Sequence, residues 1–152
     1  METKVYDLGI INEEELKFAV IIAKYNGKFV YGRHKERETW EIPGGHRELN
    51  EDINDTAARE LREETGAVKF NIRPICDYLC DYDVEGENPD KSYGRLYYAE
   101  IQELGKLPDL EIGEIALFSD MPENLTYSEI VPVLLYRVLR EVNTTELINI
   151  IS

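Results

Sequence analysis

Three glutamates, Glu60, Glu63 and Glu64, fall at i, i+3 and i+4 in the segment Arg59-Glu60-Leu61-Arg62-Glu63-Glu64-Thr65-Gly66. The segment is rich in strong helix formers, and Gly66 stands where a left-handed residue would end a helix. At about 100° per residue, the three carboxylates share one helical face, beside an apolar stripe of Ala57, Ala58 and Leu61. Like charges at this spacing repel and weaken a helix. A hard divalent cation reverses that sign, because Mg²⁺ takes oxygen ligands and suits one or two carboxylates together with substrate phosphates. The cluster therefore reads as a metal site. The competing reading is a solvated acidic helix face, as most charge runs are.

The flanking residues decide between them. Gly45, five residues, Glu51, seven residues, then Arg59-Glu60-Leu61-Arg62-Glu63-Glu64-Thr65-Gly66-Ala67 resembles the Nudix box, G-x5-E-x7-R-E-U-x-E-E-x-G-U, where U is a bulky aliphatic residue. Residues 45–67 fill every fixed position, and only the last aliphatic place is soft, with Ala67 followed by Val68. The preceding Trp40-Glu41-Ile42-Pro43-Gly44 is also similar to the usual approach to that box.

The resemblance implies an α/β fold, a Nudix-type α/β/α sandwich around a mixed β-sheet, with residues 1–152 as a single domain. It also implies hydrolysis of a nucleoside diphosphate linked to another moiety, with Mg²⁺ or Mn²⁺ as cofactor. By the same resemblance, Glu60 and Glu64 are metal ligands, and Glu63 is a ligand or orients the attacking water. Glu63 and Glu64 are thus the expected catalytic carboxylates, and the Gly44 carbonyl is a further ligand. Glu51 and Arg59 are expected to pair and set the loop against the helix. One more acid often comes from outside the box; the candidates are Glu111 and Glu114, with Glu111 preferred because Glu114 falls inside a strand pattern. Arg33 and Arg37 carry planar forks suited to outer phosphates, and Trp40 reads as core before a base-stacking platform.

The segment LFSDMPENLTYSEI is similar to that of bacterial members acting on 8-oxo-dGTP. It points to a purine nucleoside triphosphate cleaved to monophosphate and pyrophosphate, possible alternatives being a sugar nucleotide or a dinucleoside polyphosphate. Asn124, in this segment, can donate to and accept from a purine edge with one amide; its other reading is a turn residue satisfying backbone. A non-catalytic nucleotide sensor is the reading from another class, but it would be expected to lose a box glutamate, and none is lost here.

Composition narrows the partners. Lys and Arg number 17 against 31 Asp and Glu, a net charge of −14. Such a surface repels nucleic-acid polymers and anionic lipid, whereas a small polyphosphate needs only a metal and a few local cations. No apolar run reaches the length of a membrane span, and the start lacks a signal-peptide core. Cys76 and Cys80, four apart in a strand pattern, would sit about 13 Å from each other, too far to bridge. A cytoplasmic setting is expected. The sequence carries no signal for oligomeric state.

The elements that must position these groups follow from periodicity. Leu16–Tyr25 is apolar on both parities, as in a strand covered on both faces, and Asn26-Gly27 is a hairpin turn returning through Lys28 to Gly32. Residues 33–37 read as a charged loop, Trp40 to Ile42 as a short strand, and Pro43-Gly44-Gly45 as backbone able to approach a ligand closely. After the helix, Val68 to Asp83 is extended but broken by Pro74, and 84–92 is a polar loop. Tyr93 to Ile101 and Glu114 to Phe118 are further strands. Ser128 is the expected N-cap of a last helix reaching about Val142, with Val131, Leu134, Leu135, Val138 and Val142 as its buried stripe.

Overall fold

A strand that is apolar on both sides must find a cover for each, and Leu16–Tyr25 does. In the computed structural model, which describes residues 3–80 and 92–151, this strand (β2) lies inside an eight-stranded sheet. The others are β1 (Thr3–Tyr6), β3 (Lys28–His34), β4 (Trp40–Glu41), β5 (Gly44–His46), β6 (Ala67–Cys80), β7 (Ser92–Leu104) and β8 (Ile112–Phe118). Their order is β1-β6-β7-β2-β3-β4, with β5 added to β2 and β8 to β3. The β2–β7 pair is parallel and the remaining pairs are antiparallel, so the sheet is mixed.

Helices α1 (Ile53–Thr65) and α2 (Val131–Ile151) cover the two faces. Ala19, Ile21 and Ala23 of β2 pack with Ile53, Ala57 and Leu61 of α1. Ile22, of opposite parity, packs in a second cluster with Val131, Leu134, Val138 and Val142 of α2. The alternation of a strand thus divides β2 between two cores, and the architecture is the expected α/β/α sandwich.

The second edge of β2 forks. Lys24 and Tyr25 pair with Phe29 and Lys28 of β3, whereas Phe18, Ala19 and Val20 pair with His46, Gly45 and Gly44 of β5. Between these ladders the Ile21 N–H donates to the Pro43 carbonyl at 2.8 Å. The fork brings the Gly44-Gly45 backbone against α1, and there is no room for side chains: a Cβ on Gly45 would collide with the Glu60 carboxylate, and one on Gly44 would come within 2.7 Å of the Ala19 carbonyl oxygen.

Local sequence sets the ends of α1. Asp52 caps its start, accepting the Asn54 N–H at 2.8 Å, and Gly66 ends it at φ 80°. The hairpin after β2 uses Asn26 and Gly27 at φ 53° and 76°, the positive values that a two-residue turn requires.

Several boundaries differ from the sequence reading. β8 begins at Ile112 and offers ladder partners to Arg33 and His34, which therefore belong to β3 and not to a loop. The glycine stretch Gly44–His46 is a strand, because β2 leaves an edge open to it. β6 continues through Pro74 by a register shift between Pro74 and Cys76, a bulge that absorbs the missing N–H. Ser128 does not begin the last helix. Such a start would place Pro132 where the first intrahelical N–H is needed; a start at Val131 places it in the first turn, and the helix then runs on to Ile151. Tyr82 and most of the expected polar loop 84–92 lie outside the described residues. Cys76 and Cys80 are both buried and not in a disulfide, and among the described residues no helix is long and apolar enough to cross a membrane.

Gly66→Ala is expected to destabilise the fold by about 1–2 kcal/mol from its left-handed backbone alone. Its Cβ would also meet the Lys106 and Gly105 carbonyl oxygens at 2.9 and 3.0 Å. The midpoint of denaturant unfolding should fall accordingly; an unchanged midpoint would count against this cap.

Candidate active site

Helix α1 presents Glu60, Glu63 and Glu64 to a cavity of about 290 Å³ that Arg59, Leu110, Glu111 and Ile112 also line. Arg59 organises its near side. The guanidinium holds Glu51 in a fork, Nε to Oε2 at 2.8 Å and Nη2 to Oε1 at 3.0 Å. Its Nη1 donates to Glu60 Oε1 at 2.9 Å and reaches Glu63 Oε2 at 3.4 Å. A further bond from Nη2 to the His46 carbonyl, 3.1 Å, ties the end of β5 to the helix.

Glu51 also accepts from the Thr56 hydroxyl and the Glu48 N–H, at 2.7 and 3.1 Å. These donors, Arg59 first, hold its carboxyl down at about 2. The pair anticipated between Glu51 and Arg59 is thus present in the structure, and Arg59 reaches two box glutamates as well.

Glu64 is treated differently. Its Oε1 accepts the Gly44 N–H at 2.7 Å, but among the described residues no cation forms an ion pair with it, and burial pushes its carboxyl up to about 8. Glu60, Glu41 and Glu111 push in the same direction by like-charge repulsion. Burial likewise raises Glu60, against the opposing pull of Arg59. In the metal-free protein the acidic face is therefore tolerated by one shared guanidinium and one carboxyl that readily keeps its proton.

The structure brings Glu111 together with the box acids. Its backbone carbonyl accepts the Lys35 N–H at 3.0 Å, fixing the loop just before β8. Glu114 is elsewhere: it lies in β8 and bonds Arg33 Nε at 2.8 Å. Arg33 also donates to the Arg37 carbonyl at 3.0 Å, and Arg37 Nη1 donates to Glu41 Oε2 at 3.1 Å. Neither arginine lines the acidic cavity.

A second cavity, about 310 Å³, lies on the α2 side of the fork and is lined largely by apolar and aromatic residues, including Phe18, Ile42, Tyr78, Tyr127 and Val131. Gly44 and Gly45 line it too, so it adjoins the strip that Glu64 grips. Asn124, read from the sequence either as a purine-edge contact or as a turn residue satisfying backbone, has its side chain on backbone here. It is not among the lining residues; its Nδ2 donates to the Glu38 carbonyl at 3.0 Å and its own carbonyl accepts the Trp40 N–H at 2.9 Å. Asn124 serves the backbone that carries β4. Trp40 packs edge-on against Phe118, as a core residue. Glu41, which the sequence reading passed over, lines this second cavity and also the cleft against Glu64.

The donor set fits a hard cation. The acidic cavity offers carboxylate oxygens and no thiol or imidazole, the chemistry of Mg²⁺ or Mn²⁺ and not of a soft metal. Among the described residues, no three acidic, histidine or cysteine side chains already converge as a finished ligand cluster. Glu60, Glu64 and Glu111, with the Gly44 backbone, are the groups that would hold the ion.

Comparison with known proteins places these features. The family described as NUDIX domain matches residues 15–130. The Bacillus subtilis protein named "Putative 8-oxo-dGTP diphosphatase YtkD" is 34% identical over 72% of this chain, and the match spans 66% of that relative's own length. A Lactococcus lactis protein named "Probable DHNTP pyrophosphohydrolase" is 28% identical over 78% of this chain and 72% of its own. Among solved structures, the Bacillus subtilis pyrophosphohydrolase BsRppH shares the fold at a TM-score of 0.77, with 23% identity over 91% of this chain and 90% of that one.

The state of Glu64 is open to measurement. Its folded value of about 8 lies above the ordinary 4.5, so the folded chain retains a proton that the unfolded chain releases. The resulting stability is complete below the lower value and is lost as pH rises through the upper one. Gln cannot titrate. In the presence of a chelator, Glu64→Gln is expected to match the wild-type melting temperature at pH 4 and to exceed it increasingly up to pH 8. A difference that stays flat across that range would rule out a protonated, buried Glu64.

Proposed function

The chain belongs to the Nudix family, and on that footing we propose that it is a metal-dependent pyrophosphohydrolase cleaving a purine nucleoside triphosphate to monophosphate and pyrophosphate. The observation that carries this reading is the adjacency of two cavities across one strip of backbone. Carboxylates of Glu60, Glu63, Glu64 and Glu111 line one, apolar and aromatic side chains line the other, and Gly44-Gly45 separates them. A ligand with an aromatic base at one end and phosphates at the other suits that pair. The name of the Bacillus subtilis relative supports 8-oxo-dGTP as one candidate substrate.

The reaction adds a water oxygen to one phosphorus while the bridging P–O bond breaks and pyrophosphate leaves with its electron pair. In phosphoryl transfer the protein contributes positioning and charge compensation far more than covalent chemistry. A bound divalent ion supplies neutralisation of phosphate oxygens and a more acidic water. Glu60, Glu64, Glu111 and the Gly44 carbonyl would hold that ion. Glu63, whose side chain is 39% exposed against 12% for Glu60, orients the water and accepts its proton. Arg33 and Arg37 can turn to the outer phosphates only by exchanging Glu114 and Glu41 for them, which a polyphosphate of higher charge favours. Glu51 and Arg59 keep the strip and the helix in register.

Pyrophosphate release should require added Mg²⁺ or Mn²⁺. Turnover should fall at least about 10²-fold in Glu63→Gln, the scale of a lost general base, and by a similar factor in Glu64→Gln, with the fold intact by circular dichroism. Turnover near the wild-type value in both variants would overturn the assignment of these residues, and release independent of metal would overturn the reaction type.

A further inference from the structure

The apolar cavity has one anomaly. Among the described residues, Glu41 is the single carboxylate on its lining, and its side chain is only 13% exposed. A charged group in such a wall is costly unless it is paired. Arg37 pairs it through Oε2 alone, at 3.1 Å. An ionised carboxylate has about four acceptor positions over two oxygens, so Glu41 retains acceptor capacity beside a space large enough for a base.

We propose that Glu41 is a specificity-determining residue that reads the base of the substrate and selects rings bearing an N–H next to an exocyclic amino group. This inference rests on the reading of the two cavities as one nucleotide site. That edge, the 2-amino-4-oxopyrimidine unit, presents two parallel donors and suits a carboxylate as a guanidinium does. Guanine, 8-oxoguanine and pterins share it. Adenine puts an amino group beside a lone pair, which a carboxylate repels, and hypoxanthine offers one donor only. Because 8-oxoguanine keeps both donors, Glu41 separates guanine-type rings from adenine but does not separate oxidised from ordinary guanine.

The position of Glu41 adds a second consequence. It also lines the cleft that contains Glu64, Gly32 and Ile112, so it stands between the base cavity and the acidic one. A general electrostatic effect on the reaction would therefore scale the rates of all substrates together. A base-reading role changes their ratio, and the ratio is the quantity to measure.

The test compares wild type with Glu41→Gln using dGTP, 8-oxo-dGTP, dITP and dATP in Mg²⁺, together with equilibrium binding of GMP and AMP, which needs no turnover. Wild type should prefer dGTP over dITP and dITP over dATP. In the variant, the dGTP to dATP ratio of kcat/KM should fall by about tenfold or more, the scale of a bidentate base contact. The GMP to AMP affinity ratio should fall with it, and 8-oxo-dGTP should lose as much as dGTP. If Glu41→Gln does not fold, Glu41→Asp takes its place; it keeps the charge but withdraws it by one methylene, and the ratio should then fall by about threefold or more. An unchanged ratio, an equal loss for all four substrates, or a wild type indifferent to the base would each overturn the proposal. A wild type that hydrolyses no triphosphate overturns the proposed reaction instead, and the GMP and AMP affinities then still decide the role of Glu41.

Discussion

Arg59 spends both edges of its guanidinium on acids: one fork closes on Glu51, and the remaining nitrogen reaches Glu60 and Glu63. Three carboxylates stacked on consecutive turns would weaken α1 on their own. With a planar cation threaded beside two of them, the helix can present an acidic face without a metal and still keep its C-terminal half packed on the sheet. The same side chain bonds the His46 carbonyl, so the strand that ends the glycine strip is indexed to the helix through one residue. An Arg-to-Lys exchange could not do this, since an ammonium is a point charge and not a fork.

Glu64 lies beyond the reach of that guanidinium and is accommodated by a backbone amide and by its tendency to stay protonated. The two solutions leave the acidic face in unequal electrostatic states. Glu51 is held firmly ionised and serves as a fixed counter-charge, while Glu64 is poised so that a cation can displace a proton. Were a metal ion to bind through Glu64, its uptake would be coupled to proton release from that carboxyl.

Much of this was legible in the residues. The spacing identified the helix, its left-handed stop at Gly66 and the acidic face, because each depends on local periodicity, and the family resemblance implied the Glu51–Arg59 pair. The two-sided apolarity of Leu16–Tyr25 foretold a sheet covered on both faces. Features set by distant partners were not legible. Arg33 and His34 read as loop because they are charged, yet β8 supplies a ladder for them. Gly44–His46 has no strand propensity and is a strand only because β2 leaves an edge. Asn124 was open to two readings, base contact or turn residue, and only the distant backbone of Glu38 and Trp40 shows what it bonds. Glu41 sat in plain view within Trp40-Glu41-Ile42-Pro43, and the signal that could have singled it out was a carboxylate placed between apolar neighbours.

The fork in β2 has a mechanical meaning. β6 and β7 are joined along most of their length, and β7 runs beside nearly all of β2, whereas β3 meets β2 at two residue pairs near the turn. The sheet is accordingly two plates sharing a short seam, with β3, β4 and β8 on the lesser plate. Stress applied to the molecule would concentrate at that seam before it reached the longer ladders. The groups gathered for chemistry stand on both sides of it, Glu41 and Glu111 with the lesser plate and Gly44 with the greater. A small rotation about the seam would therefore change the spacing of the acids while leaving the bulk of the sheet undisturbed.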